Sequence, residues 1–435
     1  MIHSSAAYLA LPRLAQTEPD LELAAALFDQ LRAISAASAG VTRDSYGAGE
    51  QGAHDLLATQ AAALGLEIST DAALNLYLTL PGRERGMPMV LTGSHLDSVP
   101  CGGNYDGAAG VVAGLAVLAG WARAGFVPQC DVCVMAIRAE ESNWFPVSYA
   151  GSKAALGLLP ASALQAQRSD NGRSLAAHLL ELGGAPDRVA AGEAWLTPQR
   201  VACFLELHIE QGPVLLEAGE AVGVVTGICG SRRYRQAHAA GEYAHSGATP
   251  RSHRKDAVLA VAQLVLAMQQ AWAALEQAGH ELTVTVGQFA TDAQQSGFSK
   301  VAGRVDFCID IRSRSPATLQ AMDQQIAHAV ADIGASTGVR FHMGPVTGSR
   351  EGNMDPGLRA AFHELAQGMD LAVRDMPSGA GHDAAIFADS GIASAMLFVR
   401  NANGSHNPDE AMDFADFALA TRLLARLMAL QACPG

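Results

Sequence analysis

Two short, almost wholly apolar β-rich runs, Met89–Thr92 (MVLT) and Cys130–Arg138 (CDVCVMAIR), bracket a helical stretch at Ala108–Arg123, and that alternation constrains the fold more than any other feature. A strand that is apolar on both faces belongs inside a sheet covered on both sides, the usual state of parallel strands. Parallel neighbours need a crossover, and the intervening helical stretch supplies one. The expectation is an α/β catalytic domain with a largely parallel mixed sheet flanked by helices. In open sheets of this kind, reactive groups collect just beyond the carboxyl ends of the strands. His95 follows the first run and the adjacent pair Glu140–Glu141 follows the second.

From about Ile228 the pattern changes. Arg232–Ala240 alternates polar and apolar residues, Lys255–Leu275 reads as an amphipathic helix and Leu282–Gln288 as a strand. Gly303–Ile311 alternates cleanly, Leu319–Thr337 is a second helix, and Gly338–Met343 an edge strand. A half-exposed sheet with two helices on one face is the simplest packing of this set. At 435 residues the chain also exceeds a single core, which stops growing near about 250–300 residues. The expected division is a catalytic domain over 1–225 and 345–435, with an α+β lid and dimerisation domain inserted at 226–344.

Composition narrows the function classes. With 49% hydrophobic and 17% charged residues the chain has no disordered signature. A net charge of -14 argues against a nucleic-acid partner, and an anionic substrate would need a local arginine or metal. Residues 1–20 lack the basic start and long apolar core of a signal peptide. The most apolar window, 109–125, is broken by Gly120, Trp121 and Arg123, so a buried helix is expected there and no membrane span. Seven irregularly spaced cysteines suit reduced thiols in the cytoplasm.

The chemistry concentrates in GSHLDSVPCGGNYDG at 93–107 and in Glu140–Glu141. A pair of divalent ions roughly 3.5–4 Å apart can share one carboxylate and one hydroxide, which makes a nucleophile at neutral pH. Asp106, in the glycine-rich turn, is the natural bridging ligand. His95 would hold one ion, and Asp97 would orient its ring. Glu141 would hold the other ion, leaving Glu140 as general base and then acid. Each ion needs one more protein ligand. His208 in LELHIEQGP (205–213) and His406 in NGSHNPDE (403–410) supply them, with Glu410 as a supporting partner. The expected sets are His95, Asp106 and His208 on one ion, and Asp106, Glu141 and His406 on the other. Zinc is the first choice for such nitrogen and oxygen ligands, with manganese, cobalt or nickel as alternatives.

From GVTRDSYG at 40–47 to the C-terminus, the chain resembles the di-zinc metallopeptidase family of aminoacylases and carboxypeptidase-type exopeptidases. It is most similar to the amidohydrolase branch containing N-carbamoyl-L-amino-acid hydrolase, β-ureidopropionase and allantoate amidohydrolase. LHIEQGP, AHSGATP at 244–250, IDIRS at 309–313, SGAGHDA at 378–384 and GSHNPDE carry the likeness. His208 stands where peptidase relatives carry Asp or Glu. The resemblance implies a lid that makes a homodimer, with His245 reaching the partner's site to support the oxyanion. It also implies that Arg312 grips the substrate carboxylate, Gln211 contacts substrate, and Gly379 lines the pocket by its backbone. Ser299 and Ala302 replace the branch's asparagine and proline, and Arg251 stands where methionine is common, so the substrate clamp is altered. The substrate implied is a small ureido or amide acid, an N-carbamoyl-L-amino acid or allantoate.

Other motifs fit less well. GAGEQG at 47–52 has the GxGxxG spacing but follows the polar run Thr42–Tyr46, so it lacks the strand a dinucleotide site requires. Cys130 and Cys133 lie inside a strand-like run and read as small core residues. Ser246 has no nucleophile-elbow context. Two rival readings remain: a dipeptidase or aminoacylase of the same family, and a metal-binding homologue without catalysis.

Overall fold

The computed structural model describes residues 16–433. Of the stretch read for a targeting signal, residues 1–15 lie outside the described residues. After the helices Leu21–Ile34 and Ala48–Ala63 come strands β1 (Glu67–Thr70), β2 (Leu76–Leu80) and β3 (Met89–His95). Helix Ala108–Arg123 leads to β4 (Val132–Ile137), and short helices lead on to β5 (Val201–Ile209) and β6 (Val222–Ile228). Next come β7 (Gly230–Ala240), β8 (Ala244–His245), β9 (Thr283–Thr291), β10 (Lys300–Val301), β11 (Arg304–Ser313), β12 (Arg340–His342) and β13 (Val346–Thr347). The chain ends with β14 (Gly352–Asn353), β15 (Val373–Ser378), β16 (Ser394–Val399), β17 (Asn401–Ala402), β18 (Ala411–Met412) and helix Phe414–Ala432.

The large sheet has the order β1-β2-β4-β3-β5-β16-β6-β14, with β15 also on β6. Its four central strands, β4, β3, β5 and β16, run parallel. Antiparallel β2 and β6 flank them. This is the largely parallel mixed sheet expected from the apolar runs. β4 is buried at every residue, and helix Ala108–Arg123 is buried along nearly its whole length. The chain leaves β3 for β4 on one side and returns to β5 on the other, so β3 marks the switch point of the sheet.

Several boundaries differ from those expected, among them the end of β3 and the start of β4. β3 runs on through Gly93 and Ser94 to His95, its last residue, because these positions stay paired in register with β4. β4 starts only at Val132, since the Asp131 carboxylate turns to the Gly82 N–H at 2.8 Å and to Arg85 at 2.8 Å. Cys130 and Cys133 are buried free thiols, and burial pushes the Cys133 thiol up to about 12.

The described chain packs into two units: one up to Thr226 with Asn353–Met376 and the residues from His382, the other Gly227–Gly352 with Pro377–Gly381. In the second unit an antiparallel sheet of order β12-β7-β11-β9 carries the helices Ala257–Gln277 and Pro316–Thr337. Val305, Phe307, Ile309 and Ile311 alternate inward from β11 and meet Leu264, Met268, Met322 and Ile326 of the helices in one core. Among the described residues, only helix Ala257–Gln277 is long and apolar enough to cross a membrane. It uses Ala257, Ala260, Val261, Leu264 and Met268 to pack in this core.

Candidate metal centre

The carboxyl ends of β3, β4 and β5 bring the candidate residues together. His95 closes β3, Glu140–Glu141 follow β4, and His208 is the last residue but one of β5. Asp106 lies in the turn before helix Ala108–Arg123, whose N-cap is Gly107 at φ 65. A Cβ on Gly107 would fall 2.5 Å from the His95 ring, so only glycine lets this turn lie against the imidazole at a left-handed φ. His406, at φ 61, comes from the loop between β17 and β18.

Asp106 is the centre of the arrangement. Its Oδ1 lies 3.7 Å from His95 Nε2 and 3.2 Å from His208 Nε2. Its Oδ2 lies 3.3 Å from His406 Nε2, which is 3.1 Å from Glu141 Oε1. His95, Asp106 and His208 thus form one trio whose potential ligand atoms lie within 4.8 Å of one another, and Asp106, Glu141 and His406 form a second. The carboxylate presents one oxygen to each trio. Glu140 Oε2 stands 3.9 Å from His95 Nε2.

Neighbours fix these groups. The Asp97 carbonyl and carboxylate face His95 Nδ1 at 3.0 and 3.3 Å, which turns Nε2 toward Asp106. The same carboxylate accepts from the Ser45 hydroxyl at 2.6 Å and from the Glu140 and Glu141 N–H groups at 3.1 and 3.2 Å. The Ile209 carbonyl lies 2.8 Å from His208 Nδ1. Glu410 accepts from the Tyr105 N–H at 2.8 Å and the Ser405 hydroxyl at 2.7 Å. Gln211, at φ 63, donates its side-chain amide to Asp106 Oδ2 at 2.9 Å. The Gln211 Oε1 is buried without a protein partner.

The electrostatics carry the mark of crowded carboxylates. Burial pushes the Glu140 carboxyl well above its ordinary value, and Glu141, Asp383 and Asp97 push it further against the pull of His95. Burial alone would lower the His95 pKa, but Asp97, Glu140 and Asp106 raise it well above the ordinary imidazole value. Hydrogen bonds to Asp106 and Glu141 push His406 up to about 10. Burial disfavours the ionised Asp106, yet its bonds with His208 and His406 hold it well below the usual carboxylate range. Imidazoles driven toward their charged form by buried carboxylates are what a cation-binding donor set looks like when protons supply the positive charge. The residues therefore fit divalent ions.

His245, Ser299, Arg312 and Gly379 belong to the second unit, where they form two local groups. The Arg312 guanidinium pairs with Asp310 at 2.9 Å and donates to the Gly379 carbonyl at 2.9 Å. His245 lies on β8, paired with β10, and the Ser299 carbonyl accepts from the Ser246 N–H at 3.0 Å. His245 Nδ1 accepts from the Gly247 and Ala248 N–H groups at 3.1 Å each. A neutral ring in that setting carries its proton on Nε2, a donor.

Two buried residues next to the centre escaped the sequence reading. The His382 ring lies 4.4 Å from that of His208, and with Glu206 they form a third trio of potential ligand atoms. Glu206 is already satisfied by the Ser94 hydroxyl at 2.7 Å and the Ala384 N–H at 2.9 Å. The available signals were its i, i+2 spacing to His208 on one strand and the histidine of SGAGHDA.

Residues 91–430 match the family described as peptidase family M20/M25/M40. The chain is 36% identical to an N-carbamoyl-L-amino acid amidohydrolase of Geobacillus stearothermophilus over 394 residues, 89% of this chain and 92% of that one. It is 34% identical to an allantoate amidohydrolase of Escherichia coli (strain K12), over 84% of this chain and 87% of that one. Among solved structures it is similar to an amidase of the hydantoinase/carbamoylase family from Burkholderia multivorans. That likeness has a TM-score of 0.85 and 28% identity, and covers 96% of this chain and 99% of that one.

Proposed function

The chain belongs to peptidase family M20/M25/M40, and from that premise we propose that it is a metal-dependent amidohydrolase. Its reaction is hydrolysis of a linear ureido or amide C–N bond close to a carboxylate, with N-carbamoyl-L-amino acids or allantoate-type ureido acids as substrates. The observation that carries this reading is Asp106, which offers one oxygen to each of two ligand trios. The activities named for the amidohydrolase relatives support the bond type.

We assign His95, Asp106 and His208 to one divalent ion and Asp106, Glu141 and His406 to a second, zinc before manganese, cobalt or nickel. Ions held there supply Lewis acidity and lower the pKa of a water to near neutrality. Glu140 takes the proton of the attacking water and hands it to the departing nitrogen. Gln211 Oε1, an acceptor without a protein partner, suits the N–H groups of a ureido function. Arg312 takes the substrate carboxylate with its planar guanidinium, assisted by the Ser299 hydroxyl and the Gly379 backbone. For a carbamoyl substrate, water addition and cleavage of one C–N bond leave a carbamic acid, whose loss of carbon dioxide breaks the second, so the products are the free amino acid, ammonia and carbon dioxide.

The proposal extends to a cytoplasmic homodimer formed through the second unit. Leu259 and Leu266 of helix Ala257–Gln277 and Phe289 of β9 are exposed, as an interface between copies requires. His245, with its proton on Nε2, supports the developing oxyanion of the neighbouring subunit. Mixing His245→Ala with Glu140→Gln subunits is then expected to restore part of the activity, since one hybrid site is intact. Inactive heterodimers would remove His245 from the partner's site. For the reaction, ammonia release from N-carbamoyl-L-amino acids and allantoate is compared with amine release from dipeptides. Turnover of dipeptides alone would replace this reading with a peptidase.

A further inference from the structure

Glu50, the acidic residue of the GAGEQG stretch, has a fully buried carboxylate (0% exposed). Its Oε2 accepts from the Tyr46 N–H at 2.6 Å and from Arg138 Nη1 at 3.0 Å. That half of the group reaches back from the third residue of helix Ala48–Ala63, past the N-cap Gly47, to the residue before it. This local bond leaves the other oxygen unexplained. Oε1 accepts from the Ala139 N–H at 2.9 Å, 89 residues away on the turn after β4. Arg138, buried beside it, also donates to the Leu74 carbonyl at 3.1 Å and to Gln51 at 2.6 Å.

Ala139 is buried and stands at φ 48, a left-handed conformation that an alanine holds only when its surroundings impose it. The next two N–H groups, of Glu140 and Glu141, both donate to Asp97. Three consecutive amides are therefore gripped by two buried carboxylates from different parts of the chain. Asp97 also faces His95. Glu50 bonds to none of the candidate ligands and acts only through the turn.

We infer that Glu50 is a positioning residue, one that holds Ala139 in its left-handed conformation so that Glu140 faces His95 and Glu141 faces His406 and Asp106. This rests on the metal-centre reading above. The test uses Glu50→Gln in the full chain, with steady-state kinetics and calorimetric titration of zinc into the metal-free protein. By the scale of lost supporting bonds around metal ligands, kcat falls by about 10- to 100-fold with KM little changed, and the weaker of two zinc-binding events weakens further. Adding Ala139→Gly to Glu50→Gln then recovers much of the lost kcat and zinc affinity, because glycine adopts φ 48 without help. The melting temperature does not recover, since the Arg138 pairing stays impaired. Should Glu50→Gln fail to fold, Glu50→Leu with Arg138→Met replaces the buried ion pair by apolar volume and is read by the same kcat and zinc titration, with and without Ala139→Gly. A folded variant with the kinetics and zinc affinity of the parent protein, or one that Ala139→Gly does not improve, overturns the inference. A parent protein that binds no zinc and releases no ammonia defeats the metal-centre reading instead.

Discussion

Glu140→Gln is expected to leave metal content unchanged and to lower kcat by at least about 100-fold, the scale of a lost general base. The substitution keeps size and shape. It also keeps the Glu140 N–H on Asp97, because that bond is made by the backbone. Under the proposed mechanism, what disappears is the ability to hold a proton between attack and departure of the leaving nitrogen. The side chain stands 3.9 Å from His95 Nε2, near the candidate ligands but outside the two trios that share Asp106. Metal analysis of the purified variant beside its kcat separates the two roles. Lost metal would make Glu140 a ligand, and near-parental turnover would remove it from the mechanism.

Asp106→Ala is expected to do the opposite: both ions are lost together and activity falls to background. The reason is geometric. Oδ1 faces His95 and His208 while Oδ2 faces His406 and, through it, Glu141, so one truncation strips an oxygen from each trio. His406→Ala touches one trio only and is expected to cost one ion. Its side chain is 50% exposed, so that truncation leaves no buried cavity. Metal-to-protein ratios of the three proteins check this. Retention of one full equivalent in Asp106→Ala would mean that the two trios do not share the carboxylate.

The large sheet was legible because β3 and β4 are apolar on both faces and separated by a helix-length stretch. The same pattern located His95 and Glu140–Glu141, since parallel strands in register carry their ends to one edge. Periodicity says nothing of His208 or His406, which are reached because each ion lacks one ligand and which come from β5 and a loop far along the chain. Side chains that act across long separations left no local trace. Glu50 reaching the Ala139 amide, His382 packing on His208 and Gln211 donating to Asp106 depend on contacts that only the folded chain creates. The extension of β3 to His95 was hidden by Gly93 and Ser94, which are poor strand formers kept in place by pairing with β4.

The most direct test of the central claim is anomalous diffraction from crystals of the zinc-loaded protein. Two peaks, one beside each oxygen of Asp106 and roughly 3.5–4 Å apart, are the expected result. A single peak, or one seated among Glu206, His208 and His382, would contradict a carboxylate-bridged pair of metal ions.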